Sequence, residues 1–410
     1  MLHRKSCQMR SHTSREMISV EDWYFSLNRI LLLIVGLWPY QKSKLARLQF
    51  ICFFSILITF IIFQLTTFIT SKCTINSVIK VLSLPFGFIC ITIKYYSFRI
   101  NGENMRDLME QLQRIYNDLE DSNEIAIIEK YRRNAKCYTA ILTIFCVCSI
   151  LVLTNAQVWP DILQIISPTN KSRQHQLQIS TEYFVDQDKY FYYLLLHINT
   201  AICIGLVSLV ATGTMLIAYF QYMCAMFTVA SYRIENAIKT QISQNIIKHN
   251  KILMYKSIKN AVDIHRKAMA LSIKLISKFE ISFFFLIIFG VMTLSMNIFR
   301  IFQIGLSTRN ADELSISIIV GFISLLYMFT ANLVGQEITD HYNYIYVAAY
   351  KIRWYIAPPD IQKLLLILIQ RGNKTFGLNI GGLFVASIQC FTTLANTSLS
   401  YFTVMYSVRK

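Results

Sequence analysis

The chain has 410 residues, 54% of them hydrophobic, with 40 Lys or Arg against 23 Asp or Glu. The apolar residues come in long blocks rather than at strand or helix periodicity, which is the composition of a polytopic membrane protein and excludes a soluble globular domain or a disordered chain. A formal charge of +17 would suit a nucleic-acid binder, but in a membrane chain Lys and Arg report orientation first, so no nucleic-acid partner is read from it.

Residues 1–44 are polar and basic, with one apolar run, "ILLLIVGLW", from Ile30 to Trp38. That run is too short to cross a bilayer, and no cleavable signal peptide is read here. It is expected to form a short re-entrant or interfacial helix under the first span. A hydrocarbon core of about 30 Å needs about 20 apolar residues in a helix. Seven blocks meet that length: Leu48 to Ile69, Val78 to Phe98, Tyr138 to Val158, Tyr192 to Ala218, Phe279 to Ile301, Leu314 to Val334 and Leu378 to Val404. Of the 40 Lys and Arg, 28 fall on the side of the N-terminal segment and 7 on the other, which predicts N-terminus inside and C-terminus outside. The rest, including Lys80, Lys94 and Arg300, sit within or at the ends of spans. The fold class is therefore all-α, with seven transmembrane helices.

No proline occurs between Pro168 and Pro358, and no glycine between Gly213 and Gly290. Without breakers, the fourth and fifth spans are expected to continue as helices into the cytoplasm over 219–278. Residues 337–376 carry an aromatic stripe (Tyr342, Tyr346, Ala349, Arg353) and the helix punctuation Pro358-Pro359, and read as anchor helices packed on those extensions. The predicted organisation is thus an N-terminal segment (1–44), six spans (45–336), the anchor layer (337–376) and the last helix (377–410).

Only Cys73 falls in an outer loop, so no disulfide framework is implied. The Asn170-Lys171-Ser172 sequon lies in the largest outer loop and is a glycosylation candidate. The histidines are scattered, no Cys pair has zinc spacing, and no phosphate loop or nucleophile elbow occurs. Neither a metal, a cofactor nor a catalytic residue is read from the chain.

The last block differs from the others. From Gln389, steps of three and four give Thr393, Asn396, Ser400, Thr403 or Val404, and Ser407, a polar or small row. From Phe384 they give Ile388, Phe391, Ala395, Leu399 and Phe402, an apolar row. Polar groups inside a membrane must face protein or water. Hydrogen bonding between helices and the lining of a pore both satisfy that rule. The row covers about 27 Å at about 1.5 Å per residue, the depth of a pore rather than of one local contact. A single helix encloses nothing, so a pore of this kind needs several subunits.

"GLWPY" (36–40), "EYFVDQDKYFYYLLLH" (182–197), "AAYKIRWY" (348–355) and "SYFTVMYS" (400–407) are similar to the insect odorant receptor family, most closely to the ligand-tuned sets of ants, bees and wasps. The resemblance covers nearly the whole chain. It implies a tetrameric ligand-gated cation channel formed with the odorant co-receptor, in the plasma membrane of olfactory sensory neurons. The last helix would line its pore through Gln389, Thr393, Asn396 and Ser400, with an outer gate at Val404, Ser407 and Val408. The co-receptor pattern is more hydrophobic there and has Gln where this chain has Ser407.

The resemblance further implies a pocket for a small volatile or lipophilic ligand in the outer half of the bundle. Matching depth gives Leu82, Phe86 and Ile89 in the second span and Cys148, Ser149 and Val152 in the third. The fourth supplies Tyr193, His197 and Ala201, the fifth Met292 and Met296, and the sixth Phe322 and Leu326. His197 stands out because an ionisable group in a span is costly. A G-protein-coupled chemoreceptor is the main alternative, but it needs the opposite orientation, and no DRY-like or NPxxY motif occurs. A gustatory receptor channel would carry a different C-terminal signature. A transporter or a membrane enzyme would need inverted repeats or convergent ionisable groups.

Overall fold

The computed structural model describes residues 23–70, 74–166, 177, 179–242, 247–305, 311–352, 354–372, 374 and 376–408. It is built from helices, with one two-stranded hairpin. Helix α1 (Ser26–Ile34) ends in a Schellman turn, with Leu37 N bonding Leu32 O at 2.8 Å and Gly36 N bonding Leu33 O at 3.2 Å. Gly36 takes φ +70° there, and an added Cβ would sit 3.0 Å from Gln49 Oε1. The turn sets α1 against the helices of the third and fourth spans: Tyr24, Phe25 and Leu32 are buried, and Tyr95 of the second span donates its hydroxyl to Val35 O at 2.8 Å.

The first span, α2 (Lys44–Leu65), starts at Ser43, whose hydroxyl accepts from Ala46 N. The second is broken into α3 (Ile75–Leu82) and α4 (Pro85–Ile100), where the sequence predicts one continuous span. Pro85 at the first helical position has no N–H to continue the ladder from α3, so the helix is interrupted there. After α5 (Gly102–Asn117) come four long helices: α6 (Ser122–Ile166), α7 (Gln187–Ile242), α8 (Ile247–Gly305) and α9 (Ala311–Lys351). With no glycine or proline from 214 to 289, α7 and α8 extend far beyond bilayer length.

Helix α7 is the central post. It packs against α1, α2, α4, α6, α8 and α9 and is the most buried span. On the side carrying the basic segments, Tyr219 and Tyr222 of α7 meet Phe25 and Tyr24 with ring centroids 5.1 Å apart in each pair. Their hydroxyls donate to Met105 O at 2.7 Å and Leu112 O at 3.0 Å of α5, so these buried tyrosines are satisfied. Arg233 clamps Glu124 at the start of α6 through two bonds of 2.6 and 2.8 Å. Beside them Tyr342 and Ala349 of α9 are buried, and Tyr342 O accepts from His265 Nε2 of α8 at 3.2 Å. Arg353, the fourth residue of that predicted stripe, lies outside the described residues. Helix α10 (Pro359–Arg371) completes this layer.

The chain returns to the membrane differently from the sequence expectation of a helix from Leu378. Asn379–Ile380 (β1) and Phe384–Val385 (β2) form a hairpin, and helix α11 runs from Ile388 to Val408. Gly381 and Gly382 take φ +62° and +70°, which side-chain-bearing residues rarely adopt, so the turn is set by that Gly pair. The hairpin exit lies against α9, where a Cβ on Gly335 would meet Ala386 O at 2.7 Å. Among the described residues, six segments reach span length at high apolarity, with α3 and α4 counted together as one. Helix α11, diluted by its polar row, is the seventh, docked on α8 and α9.

Candidate functional site

Among the described residues, two larger cavities lie inside the bundle. The outer, of about 90 Å³, is walled by Gly87, Phe88 and Ile91 of α4, Leu153 of α6, and Gly290 and Thr293 of α8. These residues lie toward the helix ends that the charge count assigns to the outside. The inner cavity, of about 170 Å³, reaches from Lys94 of α4 and Ser149 of α6 to Asn332 of α9 and Cys390 of α11. Leu206, Leu209, Leu286, Ile323, Tyr327 and Met328 face both, so one apolar partition separates them.

A charged cluster closes the outer end. Lys80 Nζ lies 2.9 Å and Arg300 Nη2 3.4 Å from opposite oxygens of Glu313, while Arg300 Nη1 donates to Ser83 Oγ at 3.1 Å. Asn297 adds a bond of 3.2 Å to Ser83 O. Leu84, Ile179 and Ile316 line both the outer cavity and the small space beneath this cluster, so charge caps an apolar chamber.

The residues expected to bind ligand are divided among five environments. Ser149 and Leu326 line the inner cavity. Cys148, Val152, Tyr193 and Phe322 are exposed on the outside of the bundle and line neither cavity, which corrects the facing expected for them. Each is one residue from an inward neighbour (Ser149, Leu153, Leu194, Ile323), and one residue is about 100° of helix rotation. Leu82, Phe86, Met292 and Met296 form instead a cluster with Ile79 and Phe299 that receives Phe402, Met405 and Tyr406 of α11. Ile89 packs on the main core, and Ala201 is fully buried in it.

His197 is fastened by hydrogen bonds outside both cavities. Tyr183 Oη lies 2.8 Å from Nδ1 and Thr59 Oγ1 3.1 Å from Nε2. Thr59 donates its hydroxyl proton to Ser55 O at 2.9 Å and so accepts from Nε2, which leaves Nδ1 to accept from the Tyr183 hydroxyl. The imidazole thus ties the segment before α7 to the first span.

Helix α11 turns Leu394 and Ser398 into the bundle, with Phe391, Phe402, Met405 and Tyr406 packed beside them. Leu399, of the apolar row, is exposed. Gln389, Thr393, Asn396, Ser400, Val404, Ser407 and Val408 are all exposed. Their hydroxyls bond back into the same helix, Thr393 to Gln389 O at 3.1 Å, Ser400 to Asn396 O at 3.0 Å and Ser407 to Val404 O at 2.9 Å. Among the described residues, these hydroxyls make no bond to another helix. Asn170 lies outside the described residues.

Sequence reasoning missed Lys94, Tyr327 and Gly290. The signal for Lys94 was present, since a lone charge in mid-span is a functional pointer by default. Nothing in the sequence set Tyr327 or Gly290 apart from other apolar-span residues.

A seven-helix bundle with apolar chambers between its spans and a docked, half-polar last helix defines a multi-pass membrane protein. A family model described as 7tm Odorant receptor matches residues 74–399, and the chain belongs to that family. Odorant receptor 10 of Aedes albopictus is 31% identical over 74 residues, which are 18% of this chain and 20% of that relative, so the chain matches only about a fifth of the relative's length. The fold is similar to that of the insect olfactory receptor OR5 from Machilis hrabei. The structure with eugenol superposes with a TM-score of 0.74 and the one described without it with 0.75, each at 15% identity over 95% of this chain and 98% of the other.

Proposed function

We propose that this chain is the odorant-binding subunit of a ligand-gated, non-selective cation channel, assembled with the odorant co-receptor as a heterotetramer in the plasma membrane of olfactory sensory neurons. The observation that carries the reading is the row from Gln389 to Ser407, which is exposed over the length of α11 with its hydroxyls turned onto their own helix. A row spent on contacts within the subunit would be buried against α8 or α9. An exposed one suits neighbouring subunits and a water-filled axis, where uncharged oxygens replace part of an ion's hydration.

The outer cavity suits a small volatile or lipophilic ligand held by shape and dispersion. Opening follows if that ligand binds the open arrangement better than the closed one. The cluster of Leu82, Phe86, Met292 and Met296 against Phe402 supplies a contact through which α3, α4 and α8 bias α11. Family membership favours a receptor over a catalyst.

The test is whole-cell recording during application of a volatile panel, with the chain expressed with and without the co-receptor and with G-protein signalling blocked. A fast cation current that needs both subunits and survives the block is expected. Current abolished by the block would assign the chain to G-protein coupling.

A further inference from the structure

We propose that the inner cavity is a second ligand site, distinct from the outer cavity, in which Lys94 anchors the carboxylate of a small amphipathic acid. Lys94 is 2% exposed, and among the described residues its Nζ has no hydrogen-bond partner. The Tyr327 ring covers one side of it, with Nζ 4.5 Å from the ring centroid. Gly213 leaves room on another, since an added Cβ there would stand 3.3 Å from Nζ. An ammonium carries three N–H donors, and a ring face does not replace the acceptors that water would supply.

Four other polar side chains of this cavity, Ser149, Thr214, Thr330 and Asn332, are already committed, Thr330 to Leu326 O. Ser149 and Thr214 bond the carbonyls of Phe145 and Val210 at 2.8 Å each. Asn332 donates to Met328 O at 2.9 Å and accepts from Ser387 N at 3.2 Å. Lys94 is thus an unpaired charge in a largely apolar chamber, and a cation held without an anion in a membrane interior is costly.

A carboxylate with a hydrocarbon tail supplies what is missing. Its oxygens pair with the ammonium in a charge-assisted bond, and the shared leucine partition takes the tail. An alcohol of equal length offers an acceptor without the charge. Such acids arrive either dissolved, as short odorous acids, or from the bilayer, as long-chain acids, and chain length separates the two.

The test is direct binding to the purified full-length chain in detergent, using octanoate, oleate and 1-octanol. Current is not read, so failure here leaves the channel proposal standing, and failure of that proposal leaves this one standing. On the wild-type protein an acid should bind at least about tenfold tighter than 1-octanol, the difference expected between a charge-assisted and a neutral hydrogen bond. Octanoate as the tighter acid marks a soluble ligand, and oleate a membrane-derived one. Lys94→Met should abolish the preference for acid, leave 1-octanol binding unchanged and keep thermal stability at or above the wild-type value. No preference for acid in the wild type would overturn the proposal without recourse to any variant. Equal acid binding in Lys94→Met, or a variant that fails to fold, would overturn it too, because Lys94 would then be a structural residue.

Discussion

Phe299 of α8 meets Phe402 of α11 edge-on, with ring centroids 6.5 Å apart, and Phe302 meets the same ring at 5.8 Å. This aromatic seam joins the fifth span, whose Gly290 and Thr293 wall the outer cavity, to the helix that carries the polar row. The helix that walls the outer cavity and the last helix therefore share one packed cluster.

Replacing Phe402 tests that seam. Phe→Ala in a core costs about 3 kcal/mol or more, and a half-buried ring costs less. Phe402→Ala is expected to shift the concentration–response curve by about tenfold, or 1.4 kcal/mol, while the rank order of ligands stays the same. A changed rank order would make Phe402 a ligand contact instead.

Gly290 offers a fill test of the outer cavity. An added Cβ there finds only Met328 Sδ, at 3.9 Å, so Gly290→Ala occupies space without a clash. The substitution should stabilise α8 by roughly 0.5–1 kcal/mol, as Gly to Ala does in helices. Gly290→Val should narrow the response panel toward smaller volatiles. An unchanged panel for Gly290→Val would remove this cavity from the ligand site.

His197 should prove to be a tether. Both ring nitrogens are occupied by Tyr183 and Thr59, and it lines neither cavity. His197→Phe is expected to lower thermal stability by about 1–2 kcal/mol, the cost of lost hydrogen bonds, with ligand rank order intact. A shifted ligand profile at wild-type stability would return His197 to the binding site.

Arg233 and Glu124 lock the cytoplasmic ends of α6 and α7. Glu124 is 5% exposed, so Glu124→Gln leaves Arg233 facing a neutral amide in a poorly hydrated site. Breaking a buried pair from one side costs about 3 kcal/mol or more. Thermal unfolding of the purified protein should register the loss, and unchanged stability would mean the pair is effectively solvent-exposed.

The spans were legible because each is a block of bilayer length, and the length of α7 and α8 because no Gly or Pro interrupts 214–289. The polar row of α11 was legible because Gln389, Thr393, Asn396 and Ser400 recur at helical spacing. Rotation of the other spans was not. A helix apolar on every side gives no moment to say that Ser149, and not Cys148, turns inward. The hairpin at 379–385 was hidden by its apolar flanks, although Gly381-Gly382 was a turn signal within them.

The central claim is that the polar row of α11 meets water in the open channel. The most direct measurement is cysteine accessibility during current recording, with Asn396, Ser400, Ser407, Leu394 and Ser398 replaced one at a time by Cys in a Cys390→Ser background. A charged, water-soluble thiol reagent should alter the current at Asn396, Ser400 and Ser407 and leave Leu394 and Ser398 untouched, since those two are buried in the bundle. Modification of both faces alike, or of neither, would contradict the account.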